Sequence, residues 1–414
     1  MTSSEFDLNL NKYAELIVKV GLNLQAGQRL VVLAELQTAP LVRLIATHAY
    51  QQGCRFVDVL WGDDPLAVLR FKHAPRDSFT EFSDWKTQTV AAYGQNGDAL
   101  LSIASSDPDL LAGQDPELIS IAQRTQAHKA RAYAELVSRS AMNWAIAGYA
   151  GAAWAAKVFP AEAPDAQVAR LWAAIFNVCR IDRADPVAEW RDHIRNLDRR
   201  SAYLNAKRYA GLHYTGPGTD LTIGLAVGHI WKAGATRSLT GIDFVANLPT
   251  EEVFTLPHAP QTRGHVTSTK PLSHLGALME DFTLTFEDGR VVKAVAKRGE
   301  DILQRLLDTD EGARRLGEAA LVTHRSPISH SGLLFHNTLY DENAACHLAL
   351  GRGLRFTVQD GDTISDEEFT ARGGNLSNIH VDFMIGSGQI DIDGLYADGS
   401  IEPVLRQGEW AFAV

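Results

Sequence analysis

Apolar and polar residues follow two different periods along the first 150 or so residues. Leu10, Tyr13, Ala14, Ile17 and Val20 recur at helical spacing between Leu8 and Val20, and Leu41, Leu44, Ile45 and Ala49 do so between Pro40 and Tyr50. Short apolar runs of buried-strand type follow each helix: Leu30-Val-Val-Leu33 after Gly27, and Phe56-Val-Asp-Val-Leu-Trp61 after Gly53. Helix, strand, helix, strand with short glycine-bearing connections predicts an open parallel sheet covered by helices. Leu100-Leu-Ser-Ile103 and Trp144-Ala-Ile-Ala-Gly148 extend that sheet, with a helix around Asp115–Ser140 between them.

From Pro164 to Lys207 the pattern is helical and strongly charged, and Arg191, Asp192, Arg195, Asp198, Arg199 and Arg200 read as a solvated helix face. Beyond Gly216-Pro-Gly218 the chain turns strand-rich. Leu221–Leu225, Phe282–Phe286 and Val291–Val295 carry β-branched or aromatic residues, and Asp288-Gly289 is a hairpin signal between the last two. The expected fold class is α/β: an N-terminal open parallel-sheet domain over 1–205 and a C-terminal mixed α+β domain over 206–414.

Composition narrows the function. With 414 residues and 45% hydrophobic positions the chain can bury a core of globular size. Its 39 Lys and Arg stand against 50 Asp and Glu, a net charge of −11, which argues against nucleic acid as a partner. Cys54, Cys179 and Cys346 are far apart and form neither a CxxC pair nor a zinc-finger spacing. The first residues lack the basic and apolar regions of a secretory signal, and no run approaches the ~20 apolar residues of a membrane helix. The expectation is a cytoplasmic protein with no membrane segment.

Familiar catalytic signatures are missing: no HExxH, no G-x-S-x-G and no P-loop occurs. The C-terminal half instead concentrates histidine and carboxylate in apolar settings. His380-Val-Asp382 would project an imidazole and a carboxylate from the same face of a strand. Burying that aspartate costs several kcal/mol unless a cation or hydrogen bonds compensate it. Asp341-Glu-Asn-Ala-Ala-Cys-His347 leads into Leu-Ala-Leu-Gly351, which reads as a helix over Ala344–Leu350 begun by Asp341 or Asn343 and capped by Gly351. Glu342 and His347 would then lie on different faces, converging only if Glu342 precedes the first turn. Glu251-Glu252 and Glu318, each taken alone, read as surface acids. Together these segments offer four carboxylates and two imidazoles, the donor set of a pair of divalent ions.

These same segments carry a resemblance. Asn247-Leu-Pro-Thr-Glu-Glu-Val-Phe-Thr255, Thr269-Lys-Pro-Leu272, Leu316-Gly-Glu318, Leu339-Tyr-Asp-Glu-Asn343, His347–Gly351 and Asn378-Ile-His-Val-Asp-Phe-Met-Ile-Gly386 closely resemble the aminopeptidase T / aminopeptidase S group of dinuclear metallo-aminopeptidases. The N-terminal αβαβ pattern, Trp144–Pro160 and Gly408-Glu-Trp410 extend the likeness over nearly the whole chain. The resemblance implies a homodimer that removes N-terminal residues from peptides with two divalent ions (Zn, Co or Mn) and a bridging hydroxide. It implies Glu252, Glu318, Glu342, His347, His380 and Asp382 as ligands, with Glu251 the alternative to Glu252, and Glu252 and Glu318 as the acids that act in catalysis.

One position departs from the family. Its catalytic tyrosine falls seven residues after the histidine that matches His347, where this chain has Leu354. Tyr340 is the candidate substitute, with core packing as its other reading. The departure leaves room for a hydrolase of another amide substrate, or for a relative that binds peptides and turns them over weakly. The ring-cleaving 2,5-dihydroxypyridine dioxygenases, which use one Fe(II) on two His and an Asp, also resemble this scaffold. The acids Glu252, Glu318 and Glu342 argue against that chemistry.

Overall fold

A computed structural model describes residues 2–105, 107–274 and 277–414. The chain divides into two compact units, Met1–Asp192 with Ala235–Pro249 and His193–Gly234 with Thr250–Val414. A single cut after 205 would fall inside the helix Pro186–Lys207. It would also separate 235–249 from the sheet that this segment completes.

In the first unit, parallel pairing joins β1 (Arg29–Glu35), β2 (Phe56–Gly62), β3 (Ala99–Ala104), β4 (Trp144–Gly148) and β5 (Asn247–Leu248) in the order β2-β1-β3-β4-β5 among the described residues. The periodic segments form the expected helices, including Ser3–Leu16, Ala39–Gln51 and Pro116–Ser138. β5 joins because Ile146 and Ala147 of β4 register with Asn247 and Leu248. That late return from the C-terminal half leaves no periodic signal, since two residues are too few to show one.

In the second unit, nine strands make an antiparallel sheet among the described residues, with Gly211–Gly216, Thr219–Leu225 and Pro257–Thr267 near its middle. The hairpin at Asp288-Gly289 forms as expected, both residues having positive φ (46° and 77°) as a tight two-residue turn requires.

A smaller antiparallel sheet carries the chemistry. Its order is β6 (Val253–Thr255), β7 (Leu316–Leu321), β8 (His347–Gly351) and β9 (His380–Met384). Here the sequence expectation fails: in the segment read as a helix over Ala344–Leu350, Ala344 ends a short turn and residues 347–350 lie in strand β8. Ala and Leu favour helix, but His347–Gly351 is buried along its whole length between two paired strands. Tertiary pairing of that kind overrides local propensity. Gly351 is no helix cap; its φ is 100°, and a Cβ there would lie 2.3 Å from the Ile379 carbonyl oxygen.

One face of this sheet is apolar. Leu316, Ala319 and Leu321 of β7, Leu348 and Leu350 of β8, and Val381 and Phe383 of β9 join the core of the second unit. The other face therefore presents Glu318, His347, Ala349, His380 and Asp382. No helix among the described residues is long and apolar enough to cross a membrane.

Candidate metal centre

Register decides which side chains meet. Glu318 pairs with Ala349, and Ala349 with Asp382, so the two acids flank a residue whose side chain is a single methyl. His347 lies two residues before Ala349 on β8, and His380 lies opposite Gly351 on β9. Small residues between the acids and imidazoles leave their polar ends facing a common space.

A bulge brings Glu318 to that face. Leu316 pairs with Leu350 but Glu318 with Ala349, so Gly317 is the extra residue in β7. Without it, Leu316 and Glu318 would share a face, and the glutamate would point into the apolar core. Only glycine fits there: a Cβ on Gly317 would sit 2.4 Å from the carbonyl oxygens of both Gly351 and Arg352.

The polar atoms form two groups that share Glu318. Glu252, Glu318 and His347 make one, and Glu318, His380 and Asp382 the other, with donor atoms within 4.8 Å of one another in each. His347 Nε2 lies 3.1 Å from Glu252 and 3.5 Å from Glu318, while His380 Nε2 lies 3.6 Å from Glu318 and 3.5 Å from Asp382. Each imidazole is oriented from behind by a main-chain carbonyl, Ala345 at 3.1 Å from His347 Nδ1 and Arg352 at 2.7 Å from His380 Nδ1. A carbonyl only accepts, so Nδ1 carries the proton and Nε2 faces the acids, the arrangement that prepares histidine to bind a cation.

Burial and crowding shift the titration of most of these groups. Burial raises the carboxyl of Glu318 despite its pairing with His347, and the charge of Asp382 raises it further. Glu342 is driven well above the usual range by burial and by the charge of Glu252. Burial lowers the basicity of His347, but ion pairs with Glu252 and Glu318 outweigh it and hold the ring well above its ordinary value. His380 likewise reaches about 9, burial being outweighed by Asp382. Asp382 alone is held low: burial raises it, and the His380 imidazole more than reverses that. Burial and mutual repulsion thus oppose the charged forms of Glu318 and Glu342 in a space removed from water. Divalent cations would favour those charged forms, and the carboxylate and imidazole donors suit them.

The structure brings Glu252, and not its neighbour, against His347. The carboxylate of Glu251 lies 3.5 Å from His193 Nε2 instead, a ring also 2.8 Å from the Thr250 carbonyl. Both acids are buried, so the reading of the pair as surface acids fails. Glu318 is buried too, with 5% of its surface exposed. Tyr340 is fully enclosed, its ring stacked on Phe335 at 4.8 Å. Leu354 is half-buried, two residues beyond the carbonyl that orients His380.

Some participants are absent from the sequence reading. The bulge glycine has no role of its own there, Asn343 is read only as a helix start, and the two orienting carbonyls do not appear. A glycine inside an otherwise apolar strand was the available signal for the first; main-chain carbonyls leave none.

Glu252→Gln is expected to weaken binding of a divalent cation at least about ten-fold, and Glu251→Gln to leave it nearly unchanged. Titration of the two variants with Co²⁺ checks this; equal losses would place both acids at the cation.

Over residues 6–410 the sequence matches the thermophilic metalloprotease (M29) family. It is 46% identical to Aminopeptidase 2 of Geobacillus stearothermophilus, covering 99% of each chain. It is 45% identical to Aminopeptidase AmpS of Bacillus subtilis, covering 98% of this chain and 99% of that one. Among solved structures, wild-type AmpT from Thermus thermophilus superposes with a TM-score of 0.93 at 43% identity, covering 98% of this chain and 99% of that one.

Proposed function

The chain belongs to the thermophilic metalloprotease (M29) family of aminopeptidases, and from that premise we propose that it removes N-terminal residues from peptides with two divalent ions held by Glu252, Glu318, Glu342, His347, His380 and Asp382. The observation that carries this reading is the pair of donor groups that share Glu318. Bound there, such ions would polarise the scissile carbonyl and lower the pKa of water. The protein's own part is positioning and proton handling. His347 and His380, pinned through Nδ1, present Nε2 in fixed directions. Glu318, central to both groups, is the acid best situated to hold a proton during hydrolysis, with Glu252 beside it. An anionic cluster also attracts the protonated amino terminus of a peptide.

A mononuclear iron site of two imidazoles and one aspartate would use His347, His380 and Asp382 and leave Glu252, Glu318 and Glu342 without work. Zinc, cobalt or manganese is therefore the expected metal. Action in the cytoplasm as a homodimer is also part of the proposal, supported by family likeness.

Elemental analysis of the purified chain, with a chelator-sensitive assay on leucine and arginine p-nitroanilides, tests the reading. About two metals per chain with chelator-sensitive release of nitroaniline supports it. One iron per chain with no release would overturn it.

Leu354 sets a second expectation. A phenol at this position would stabilise the anion formed on the scissile carbonyl, which leucine cannot do, and one such donor is worth roughly a hundred- to a thousand-fold. Leu354→Tyr is expected to raise kcat by about ten-fold or more with little change in KM. An unchanged kcat would assign that task elsewhere, with the Tyr340 phenol the first alternative, checked by Tyr340→Phe.

A further inference from the structure

Asn343 is fully buried in the short turn Glu342–Ala344, between two acids of the cluster that it joins. A buried amide must satisfy both of its ends. Its Oδ1 accepts the main-chain N–H of Glu251 at 2.8 Å, fixing the backbone immediately before Glu252. Its Nδ2 donates to the Leu339 carbonyl at 3.3 Å and to Glu342 Oε1 at 3.4 Å. Because a main-chain N–H can only donate, the amide orientation is fixed, and Nδ2 necessarily faces the glutamate. The turn itself is anchored where Ser326 Oγ donates to the Asn343 carbonyl at 3.4 Å.

We propose that Asn343 is a positioning residue for the metal site: one amide sets the backbone that carries Glu252 and the carboxylate of Glu342 relative to each other. This rests on the metal reading given above. The residue type follows from the task. An amide accepts from the backbone and donates to a carboxylate through separate atoms without adding charge. Aspartate would add a fifth acid beside Glu342, and an aliphatic side chain would leave the Glu251 N–H unpaired. Glu252 and Glu342 come from segments 90 residues apart, and neither lies within a paired strand. Sheet register therefore fixes Glu318, His347, His380 and Asp382 but not these two.

The test uses the full-length chain stripped by chelator and titrated with Co²⁺ against a competing chromophoric chelator, with the visible Co²⁺ spectrum recorded. Asn343→Ala is expected to weaken Co²⁺ binding roughly ten- to a hundred-fold, the usual effect of losing a group that orients ligands, and to shift the absorption band. Asn343→Ser, which disturbs the turn less but cannot span both contacts, is expected to move both readouts in the same direction. Wild-type Co²⁺ affinity and spectrum in either variant, whatever its Tm without metal, would show a merely structural role and overturn the proposal. A wild-type chain that takes up no Co²⁺ would overturn the metal reading itself, an outcome distinct from a defect confined to the variants.

Discussion

Glu318→Ala should nearly abolish aminopeptidase activity and remove metal from both donor groups at once. Glu318 is the residue the two groups have in common, within 3.6 Å of the imidazoles of both His347 and His380. Loss of a group that merely orients a ligand costs ten- to a hundred-fold in metal affinity or activity. Removing one side of a buried charge pair costs about 3–5 kcal/mol. A fall in kcat/KM of about a thousand-fold or more is therefore expected, together with metal content well below that of the wild type. Kinetics and elemental analysis on one preparation check both. A variant that kept its full metal complement and a tenth of its activity would show that the two groups bind independently of Glu318.

Glu342→Gln should change stability in opposite directions with and without metal. In the metal-free chain, Glu342 is a carboxylate that burial and Glu252 both oppose, so the fold keeps it only by taking up a proton or tolerating the repulsion. Glutamine has nearly the same shape and retains an oxygen for Asn343 Nδ2, so the metal-free Tm should rise. With metal present the sign reverses. At free metal a thousand-fold above its dissociation constant, binding adds about 4 kcal/mol to stability. A hundred-fold weaker hold removes about 2.7 kcal/mol of that. Thermal melts of wild type and variant, each with chelator and with excess Co²⁺, give the four values needed. A fall of equal size in both conditions would mean that Glu342 packs the turn and does not meet a metal.

Much of the first unit was legible because its elements are long and periodic. Helices such as Pro116–Ser138 and the four runs that became β1–β4 state their type over many residues. The motif His380-Val-Asp382 was equally clear, since a two-residue period on a strand has one geometric meaning. The stretch Ala344–Leu350 was not. Ala-Ala-Cys-His-Leu-Ala-Leu satisfies a buried helix and a buried strand alike, and only the neighbours β7 and β9 select the strand. Glu251 and Glu252 could not be told apart for a related reason. Adjacent residues point in different directions, but which direction leads to His347 depends on a partner 95 positions away.

By itself, then, the sequence determined the layered α/β plan, the family and a set of candidate donors. These are properties of local period, composition and motif order, which any stretch of chain carries with it. Tertiary structure decided which acid of the pair faces the cluster and that the segment holding His347 is a strand. It decided that Gly317 turns Glu318 out of the core, and that Asn343 ties two distant segments together. Each of those outcomes is set by strand pairing or by hydrogen bonds between segments remote in sequence. A shift of one residue in such pairing would send every side chain of a strand to the opposite face.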